Sequence, residues 1–254
     1  MIYEYPCHDV SRFCLRVEKL SKQIIALRKI ATPMAMHMAI EHQVELIQLL
    51  DRPDIRTKLS KLFQVFLSRY QDFLSHESVD RRQVRDIIDQ IKEHMAFLQK
   101  RARSSLQEIH QSSLTSMLLQ NISSPGRLTD FSVPFLKVLK QHINTQNQPM
   151  WLNDWFGLIS PFIRLSELML ELLRLDTYEY DLITEAGQCH LELKSSEEVF
   201  LIQILIDDDL IFPTIIYGKH RLSVHFQEMS QRMEQTNAFV VKRQITTRVK
   251  LSKI

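Results

Sequence analysis

The chain has 254 residues, of which only four are glycine, although glycine makes up about 7% of an average soluble protein. Neither the GxGxxG fingerprint nor the GxxxxGK[ST] phosphate loop occurs in the sequence, which excludes Rossmann and P-loop nucleotide enzymes. The formal net charge of +2, from 32 basic and 30 acidic side chains, argues against a general polyanion binder.

The charge is unevenly distributed over the C-terminal third of the chain. Asp176 to Pro213 carries ten acidic residues and one lysine, whereas Thr214 to Ile254 carries eight basic and two acidic residues. Three cysteines without a CxxC spacing indicate a reducing compartment rather than a disulfide scaffold or a zinc ribbon. The start lacks the pattern of a signal peptide, and the longest near-apolar stretch has eight residues, so we expect a cytoplasmic protein without a membrane span.

The first 175 residues are predicted to be mainly helical, because apolar residues recur at spacings of three and four. One helix begins near Asp9, and a second opens at Thr32-Pro33, where a capping residue precedes a proline. A third helix follows Pro53, and a fourth covers about residues 78–100. The other predicted helices cover Leu106 to Met117, Pro134 to Ile143 and Trp151 to Leu175. We expect the last of them to break or kink near Pro161, which has no amide hydrogen to donate.

From about Thr177 the apolar period changes to two and β-branched residues become frequent, which predicts strands. Val199 to Ile206 and Leu210 to Tyr217 flank Asp207 to Asp209 and predict a hairpin with the aspartates as its turn. Other predicted strands cover Cys189 to Leu193, Lys219 to Gln227 and Phe239 to Leu251. The sequence therefore predicts an α+β fold, with an N-terminal all-helical domain over residues 1–176 and a small antiparallel β-sheet domain over 177–254. The extended residues 2–5 are a candidate edge strand of that sheet.

Two of the predicted strands carry basic residues on one face, because side chains two apart in a strand point the same way. The two polar faces consist of Lys219, Arg221, Ser223, His225 and Gln227, and of Lys242, Gln244, Thr246, Arg248 and Lys250. Any half-exposed antiparallel strand shows a polar face, so this pattern has an ordinary explanation. Neither face includes a carboxylate, however, and that favours a surface that binds an anionic partner.

Other candidate sites are weaker. His37, Glu41 and His42 lie on a predicted helix, where His37 and Glu41 can meet at i,i+4, but two ligands do not make a zinc site and a solvated helix face explains them better. Asp207 to Asp209 lack the spaced oxygen ligands of a calcium loop. No Ser, Cys or Lys has the sequence context of a known nucleophile, although sequence alone does not reveal triads that assemble in space. We therefore expect no catalytic residue, metal or cofactor.

Five segments in order resemble the ZapD family of bacterial division factors. They are Tyr3-Glu4-Tyr5-Pro6 with the following Cys14 to Leu20, Asp54 to Leu59, Ser124-Pro125-Gly126 with Asp130 to Pro134, Trp155 and Pro161 with Leu172-Leu173-Arg174, and Phe212 to Ile215 with Gly218 to Leu222. No single segment is specific, but together they cover nearly the full length of the chain.

The resemblance implies a non-enzymatic homodimer at the division site at midcell, with a helical and a β domain. It would bind the C-terminal tail of FtsZ through a basic pocket and crosslink protofilaments into bundles that stabilise the Z-ring. Carried over by position, the pocket includes Arg221, His225 and Lys137, and Lys219 lies beside it. His225 stands where the family commonly has arginine, and Lys137 stands where a histidine is known. A further cationic position of the family falls on Ser113, which we do not assign to the pocket.

Two alternatives use the same observations. A nucleic-acid-binding module would use both basic strand faces, but these faces lack interleaved aromatic residues for base stacking, and the acidic stretch before Pro213 would repel phosphates. An uncharacterised hydrolase is the other alternative.

Overall fold

The computed structural model describes residues 1–30, 32–76, 79–122, 128–142, 150–194, 197–229 and 238–253. Helices dominate the N-terminal part and antiparallel strands the C-terminal part, so the predicted α+β class is confirmed. The chain divides into two compact units. Phe13–Met169 form the helical unit, and Met1–Arg12 together with Leu170–Ile254 form the β unit. Residues 123–127, which include the Ser124-Pro125-Gly126 segment that resembles the family, lie outside the described residues.

Capping side chains mark the start of two of the described helices. The Thr32 hydroxyl accepts a hydrogen bond from the amide of Ala35 at 3.2 Å, and the Asp80 carboxylate accepts from the amide of Arg82 at 2.9 Å. The helices are α1 (Asp9–Arg28), α2 (Pro33–Leu50), α3 (Pro53–Phe73), α4 (Arg81–Lys100), α5 (Ala102–His110), α6 (Ser113–Ile122), α7 (Pro134–His142) and α8 (Met150–Leu175).

The single helix predicted over Leu106 to Met117 is wrong, because α5 and α6 are separate helices. The Thr115 hydroxyl donates to the carbonyl of Ile109 at 2.7 Å and so satisfies an acceptor at the C-terminus of α5. Apolar spacing continues across this junction, so the periodicity of the sequence does not reveal it.

A core of large side chains holds the helical unit together. Phe63 and Phe66 of α3 are fully buried, and Phe162 of α8 meets Phe97 of α4 edge to face, with ring centroids 4.9 Å apart. Burying one such side chain stabilises the fold by about 1.5–3 kcal/mol.

The long helix α8 does not break at Pro161, which lies inside it. A proline deprives the carbonyl four residues earlier of its amide donor, and here that carbonyl belongs to Gly157. The Ser160 hydroxyl donates to the Gly157 carbonyl at 2.9 Å in place of the missing amide. Because a side chain replaces the lost hydrogen bond, the helix continues to Leu175.

The β unit contains two antiparallel sheets instead of the one expected. The strands are β1 (Ile2–Pro6), β2 (Tyr178–Ile183), β3 (Gln188–Glu192), β4 (Val199–Leu205), β5 (Ile211–Tyr217), β6 (Arg221–Met229), β7 (Ala238–Val240) and β8 (Thr246–Lys253). The first sheet has the order β1-β4-β8-β2, so the N-terminal segment forms an edge strand. The second sheet has the order β3-β6-β5, and β7 also pairs with β6.

The hairpin predicted around Asp207 to Asp209 is wrong, because β4 belongs to the first sheet and β5 to the second. The aspartates connect the two sheets. Asp208 accepts a hydrogen bond from the amide of Leu210 at 3.0 Å and pairs with Arg243 at 2.6 Å. Both contacts lower the pKa of the Asp208 carboxyl, and the hydrogen bond from Leu210 has the larger effect.

The single strand predicted over Phe239 to Leu251 is also wrong. Its first part, β7, pairs with β6 in the second sheet, and its second part, β8, pairs with β2 and β4 in the first. The chain passes between the sheets over residues 241–245. Strand propensity indicates extended backbone, but it does not say which strand is the partner.

The two sheets share one hydrophobic core. The first sheet contributes residues such as Ile202 and Val249, and the second contributes Leu222, Val224 and Phe226. A tight turn at Ala186 and Gly187 joins β2 to β3, and both turn residues have positive φ, 47° and 74°. A Cβ on Gly187 would lie 2.2 Å from the Val241 carbonyl oxygen, so glycine is required at this position.

Candidate functional site

The outer face of the second sheet carries the basic residues that the sequence predicted. In β6, Leu222, Val224 and Phe226 are buried in the core, so Arg221, Ser223 and His225 point outward. Arg221 is exposed and His225 is half-buried. The alternation that the sequence showed over this strand therefore places Arg221 and His225 on one face.

The neighbouring strand β3 adds a second histidine to this face. His190 lies opposite Ser223 in the register, and its Nδ1 is 3.0 Å from the Ser223 hydroxyl oxygen. Arg221 and His225 are the diagonal neighbours of His190, within reach of long side chains. We call His190, Arg221 and His225 the cationic cluster.

The environment of the cationic cluster lowers the pKa of His190. Desolvation is the largest cause, and the charges of Arg221 and His225 lower the pKa further. A histidine with a lowered pKa is mostly neutral at pH 7, and a bound carboxylate would favour its protonated form. The cluster is therefore suited to hold negative charge.

Sequence reasoning missed His190. The weak strand predicted over Cys189 to Leu193 contained the signal, because Cys189 is buried and the histidine after it points outward. This alternation alone does not assign His190 to the site, because only the pairing of β3 with β6 places His190 between Arg221 and His225.

Lys219 does not belong to the strand to which the sequence assigned it. It lies in the turn between β5 and β6, which is closed by a hydrogen bond from the amide of Gly218 to the carbonyl of Arg221 at 3.0 Å. Lys219 is exposed, two residues before Arg221. Within the described part of the chain, neither Lys219 nor Arg221 forms an ion pair with a carboxylate, which leaves both cations available to a partner.

The second basic face that the sequence predicted differs from the first, because basic residues on it are paired with carboxylates. Lys242 and Gln244 precede β8, and the basic residues of β8 face the acidic strand β2. Arg248 pairs with Asp181 at 2.8 Å, and Lys250 pairs with Glu179. Two basic residues of the C-terminal third are thus neutralised by two acidic residues of β2 across the first sheet.

Lys137 belongs to the helical unit, whereas the cationic cluster belongs to the β unit. It is exposed on α7, where its neighbour Val138 is also exposed. Lys140, one turn further on, pairs with Asp130 at 2.7 Å. Lys137 forms no ion pair with any residue that the structure describes.

Apolar side chains adjoin the cationic cluster on the outer face of the second sheet. Ile216 lies opposite Ser223 in the register and is 59% exposed. Val240 of β7 lies opposite Gln227 and is 56% exposed. A partner that meets the cluster can therefore rest apolar groups on the same face.

No group of three or more metal-ligating side chains occurs among the described residues. His37 and Glu41 do meet on α2, at 3.5 Å, as their spacing predicted. The three cysteines are free thiols, and burial raises the pKa of Cys189 to about 11, which makes it a poor nucleophile at neutral pH. No described helix is long and apolar enough to cross a bilayer.

The comparisons with known proteins agree on one family. The family model of ZapD, described as a cell division protein, matches residues 15–225. The chain is 24% identical over 225 residues to cell division protein ZapD of Coxiella burnetii, in strains RSA 331 and RSA 493, which covers 88% of this chain and 87% of the relative. It is 23% identical over 233 residues to cell division protein ZapD of Enterobacter sp. strain 638, which covers 90% of this chain and 91% of that protein.

Proposed function

The chain belongs to the ZapD family of cell division proteins, and from this premise we propose that it binds the C-terminal tail of FtsZ through the cationic cluster. The observation that carries the proposal is the cluster itself. It combines an exposed arginine without an ion pair to any described carboxylate, two histidines and neighbouring exposed apolar side chains on one face of a sheet.

The chemistry of the cluster suits a tail that presents carboxylates. The Arg221 guanidinium offers a forked pair of donors for bidentate contact, and Lys219 adds a flexible cation beside it. Apolar residues of the tail would rest on Ile216 and Val240. Lys137 on the helical unit is a further proposed contact for the tail.

A contact of this size is expected to be weak, with a dissociation constant on the order of micromolar, or about −8 kcal/mol. We propose that the protein acts as a homodimer with two such sites. A filament displays one tail per subunit, so the second site gains from a high effective concentration once the first is occupied. Weak individual contacts then suffice to crosslink protofilaments into bundles and to stabilise the Z-ring at midcell, in the cytoplasm.

The proposed role is non-enzymatic and requires no cofactor. The rival role of a nucleic-acid-binding module relied on two basic strand faces, and one of them is neutralised by Glu179 and Asp181. Electrophoretic retardation of mixed-sequence DNA and RNA tests this rival. We expect no retardation at concentrations that bind the tail, and retardation at equal or lower concentrations would favour the rival.

Fluorescence anisotropy with a labelled peptide of the FtsZ tail tests the proposal directly. The control is the same peptide with its carboxylates replaced by amides, which preserves its length and shape. We expect saturable binding of the first peptide and a loss of at least tenfold in affinity for the second, because the cationic cluster would lose its charged partners. Equal affinity for both peptides would contradict recognition of carboxylates.

A further inference from the structure

One edge of the strand β3 is open as far as the described residues go. Among them its only strand partner is β6, and in an antiparallel pair alternate residues direct their backbone groups toward the partner. The Gly187 carbonyl accepts from the amide of Phe226 at 2.8 Å, and the amide of Leu193 donates to the carbonyl of His220 at 2.9 Å. The odd-numbered positions of this segment therefore face β6, and the even-numbered positions face away.

Two residues consequently present free backbone groups at the open edge. Gln188 uses its amide and carbonyl in the turn with Glu185, at 3.0 and 2.8 Å. His190 and Glu192 have no backbone hydrogen bond on this side to any residue that the structure describes. An edge with unpaired donors and acceptors is a template for an additional strand.

A cavity of about 510 Å³ lies beside this edge. Leu182 and Ile183 of β2 line one side, and Gln188, Cys189 and His190 of β3 line another. The strand β2 is itself an edge strand of the first sheet. The cavity thus opens where the tight turn at Ala186 sends the two strands into different sheets. Its volume is in the range of ordinary ligand sites, about 300–1,000 Å³.

We propose that an extended, carboxylate-bearing peptide adds to β3 as a further strand of the second sheet. This inference rests on the proposed function and names how the FtsZ tail is held: the main chain of the tail pairs with His190 and Glu192. Main-chain pairing supplies affinity, and alternate side chains supply specificity. The two kinds of contact require the tail to be extended at this position.

Charge and polarity support this occupant. Side chains of an added strand that lie on the outer face meet His190 and Glu192 of β3. A carboxylate fits beside His190, with Arg221 and His225 as diagonal neighbours behind it, whereas Glu192, directly opposite Arg221, repels one. Side chains on the opposite face meet Leu182 and Ile183 in the cavity, and apolar residues fit there. The edge therefore favours an extended peptide with an acidic residue at the outer-face position beside His190 and apolar residues on the opposite face.

Amide hydrogen exchange at single-residue resolution tests the pairing. We expect the amides of His190 and Glu192 to exchange at least tenfold more slowly with the tail peptide bound, whereas the amide of Thr214 on β5 is unchanged. Binding of the peptide without protection of His190 and Glu192 would overturn strand addition and leave the proposed function intact. If the peptide does not bind at all, both are overturned.

Matched variants provide a second readout. Glu192→Pro removes the amide donor at the open edge, where proline is tolerated in a strand, and Glu192→Ala removes only the side chain. We expect the proline variant to bind the tail at least tenfold more weakly than the alanine variant, with the same circular dichroism spectrum. If the proline variant is misfolded, tail peptides with single N-methylated amides replace it, and loss of binding at every second position is expected. If N-methylation weakens binding equally at every position of the peptide, the pairing is overturned. It is also overturned if the amides of His190 and Glu192 exchange slowly in the free protein, because a second copy of the chain then covers the edge.

Discussion

Arg221 is the residue on which the proposed site depends most. It is exposed, it follows a closed two-residue turn that fixes the start of β6, and it forms no ion pair with a described residue. Its charge also acts on His190, whose pKa it helps to lower after desolvation. A cation with these properties is available to an anionic partner.

Reversing this charge should abolish tail binding. We expect Arg221→Glu to weaken binding of the tail peptide more than tenfold, which is more than about 1.4 kcal/mol, and to leave the dimer intact. Lys242→Glu is the matched control, because it makes the same change in net charge at an exposed lysine outside the cationic cluster. Equal loss in both variants, measured by anisotropy, would mean that only the overall charge matters.

His190 should make tail binding depend on pH. Its pKa lies below the usual 6.5, so it gains its charge only as the pH falls, and a bound carboxylate then gains an attractive partner. Among the described residues, the register and the cavity place Arg221 and His225 of β6, Glu192 of its own strand and Glu185 of the preceding turn near it. We expect the affinity for the tail to rise as the pH falls below about 7, because a bound carboxylate favours the protonated form of His190. His190→Gln should remove part of this rise, and an identical pH profile in both proteins would refute the role of His190.

The sequence predicted some of these residues and missed others for a physical reason. Arg221 and His225 follow from the alternation within one strand, which is a local pattern. His190 joins the cluster only because of the register between β3 and β6, which the sequence does not show. Lys219 lies in the turn and not in the predicted strand, because the turn before Arg221 takes two residues. Contacts between strands depend on long-range packing, which single-strand periodicity does not encode.

At the scale of elements, one ion pair joins two of the segments that resemble the family. Arg174 at the end of α8 donates both arms of its guanidinium to the Glu4 carboxylate of β1, each at 2.8 Å. Gln203 of β4 donates to the same carboxylate at 3.0 Å. The two charged side chains are only 29% and 20% exposed, so their pairing fixes the edge strand to the helix and to the centre of the first sheet.

Arg174→Lys should destabilise the β unit, because a lysine keeps the charge but loses the bidentate contact. We expect a decrease of about 1–2 kcal/mol in the free energy of unfolding, since a hydrogen bond to a charged group contributes roughly 1.5–3 kcal/mol and partial exposure weakens it. The measurement is urea denaturation followed by circular dichroism. Arg248→Lys, on the exposed pair with Asp181, is the control and should change stability by less than about 0.5 kcal/mol. Equal effects of the two changes would contradict a structural role for the Glu4 contact.

The elements themselves were easier to predict than their partners. Most helices and strands begin near the positions that caps and apolar spacing indicated, as at Thr32 and Pro53. The hairpin predicted around Asp207 to Asp209 is wrong because β4 pairs with β1, a strand about 200 residues away in sequence. In this pairing, for example, Ile2 lies opposite Leu205. The helix does not break at Pro161, because the Ser160 hydroxyl replaces the lost hydrogen bond. Both outcomes depend on contacts that composition and spacing do not specify.

At the scale of the whole molecule, the net charge of +2 conceals two opposite arrangements of charge. Across the first sheet, Arg248 and Lys250 are paired with the carboxylates of β2. On the second sheet, Arg221 has no such partner among the described residues. The molecule therefore offers an anionic partner a localised target rather than a uniformly basic surface, which suits a peptide better than a nucleic acid.

Bundling of FtsZ filaments should be sensitive to salt for the same reason. Raising the ionic strength from about 0.05 to about 0.3 M shortens the screening length to less than about 8 Å, so exposed charge contacts weaken. We expect light scattering by bundles to fall, while sedimentation velocity shows the same dimer at both salt concentrations. Bundling that is indifferent to salt would indicate that apolar contacts dominate.

The central claim is that this protein recognises the tail of FtsZ, and co-sedimentation with assembled filaments tests it most directly. Filaments of full-length FtsZ and of FtsZ without its C-terminal tail are pelleted with equal amounts of the protein. We expect the protein to pellet with the full-length filaments and to remain in the supernatant with the truncated ones. Equal pelleting with both kinds of filament would contradict the proposed function.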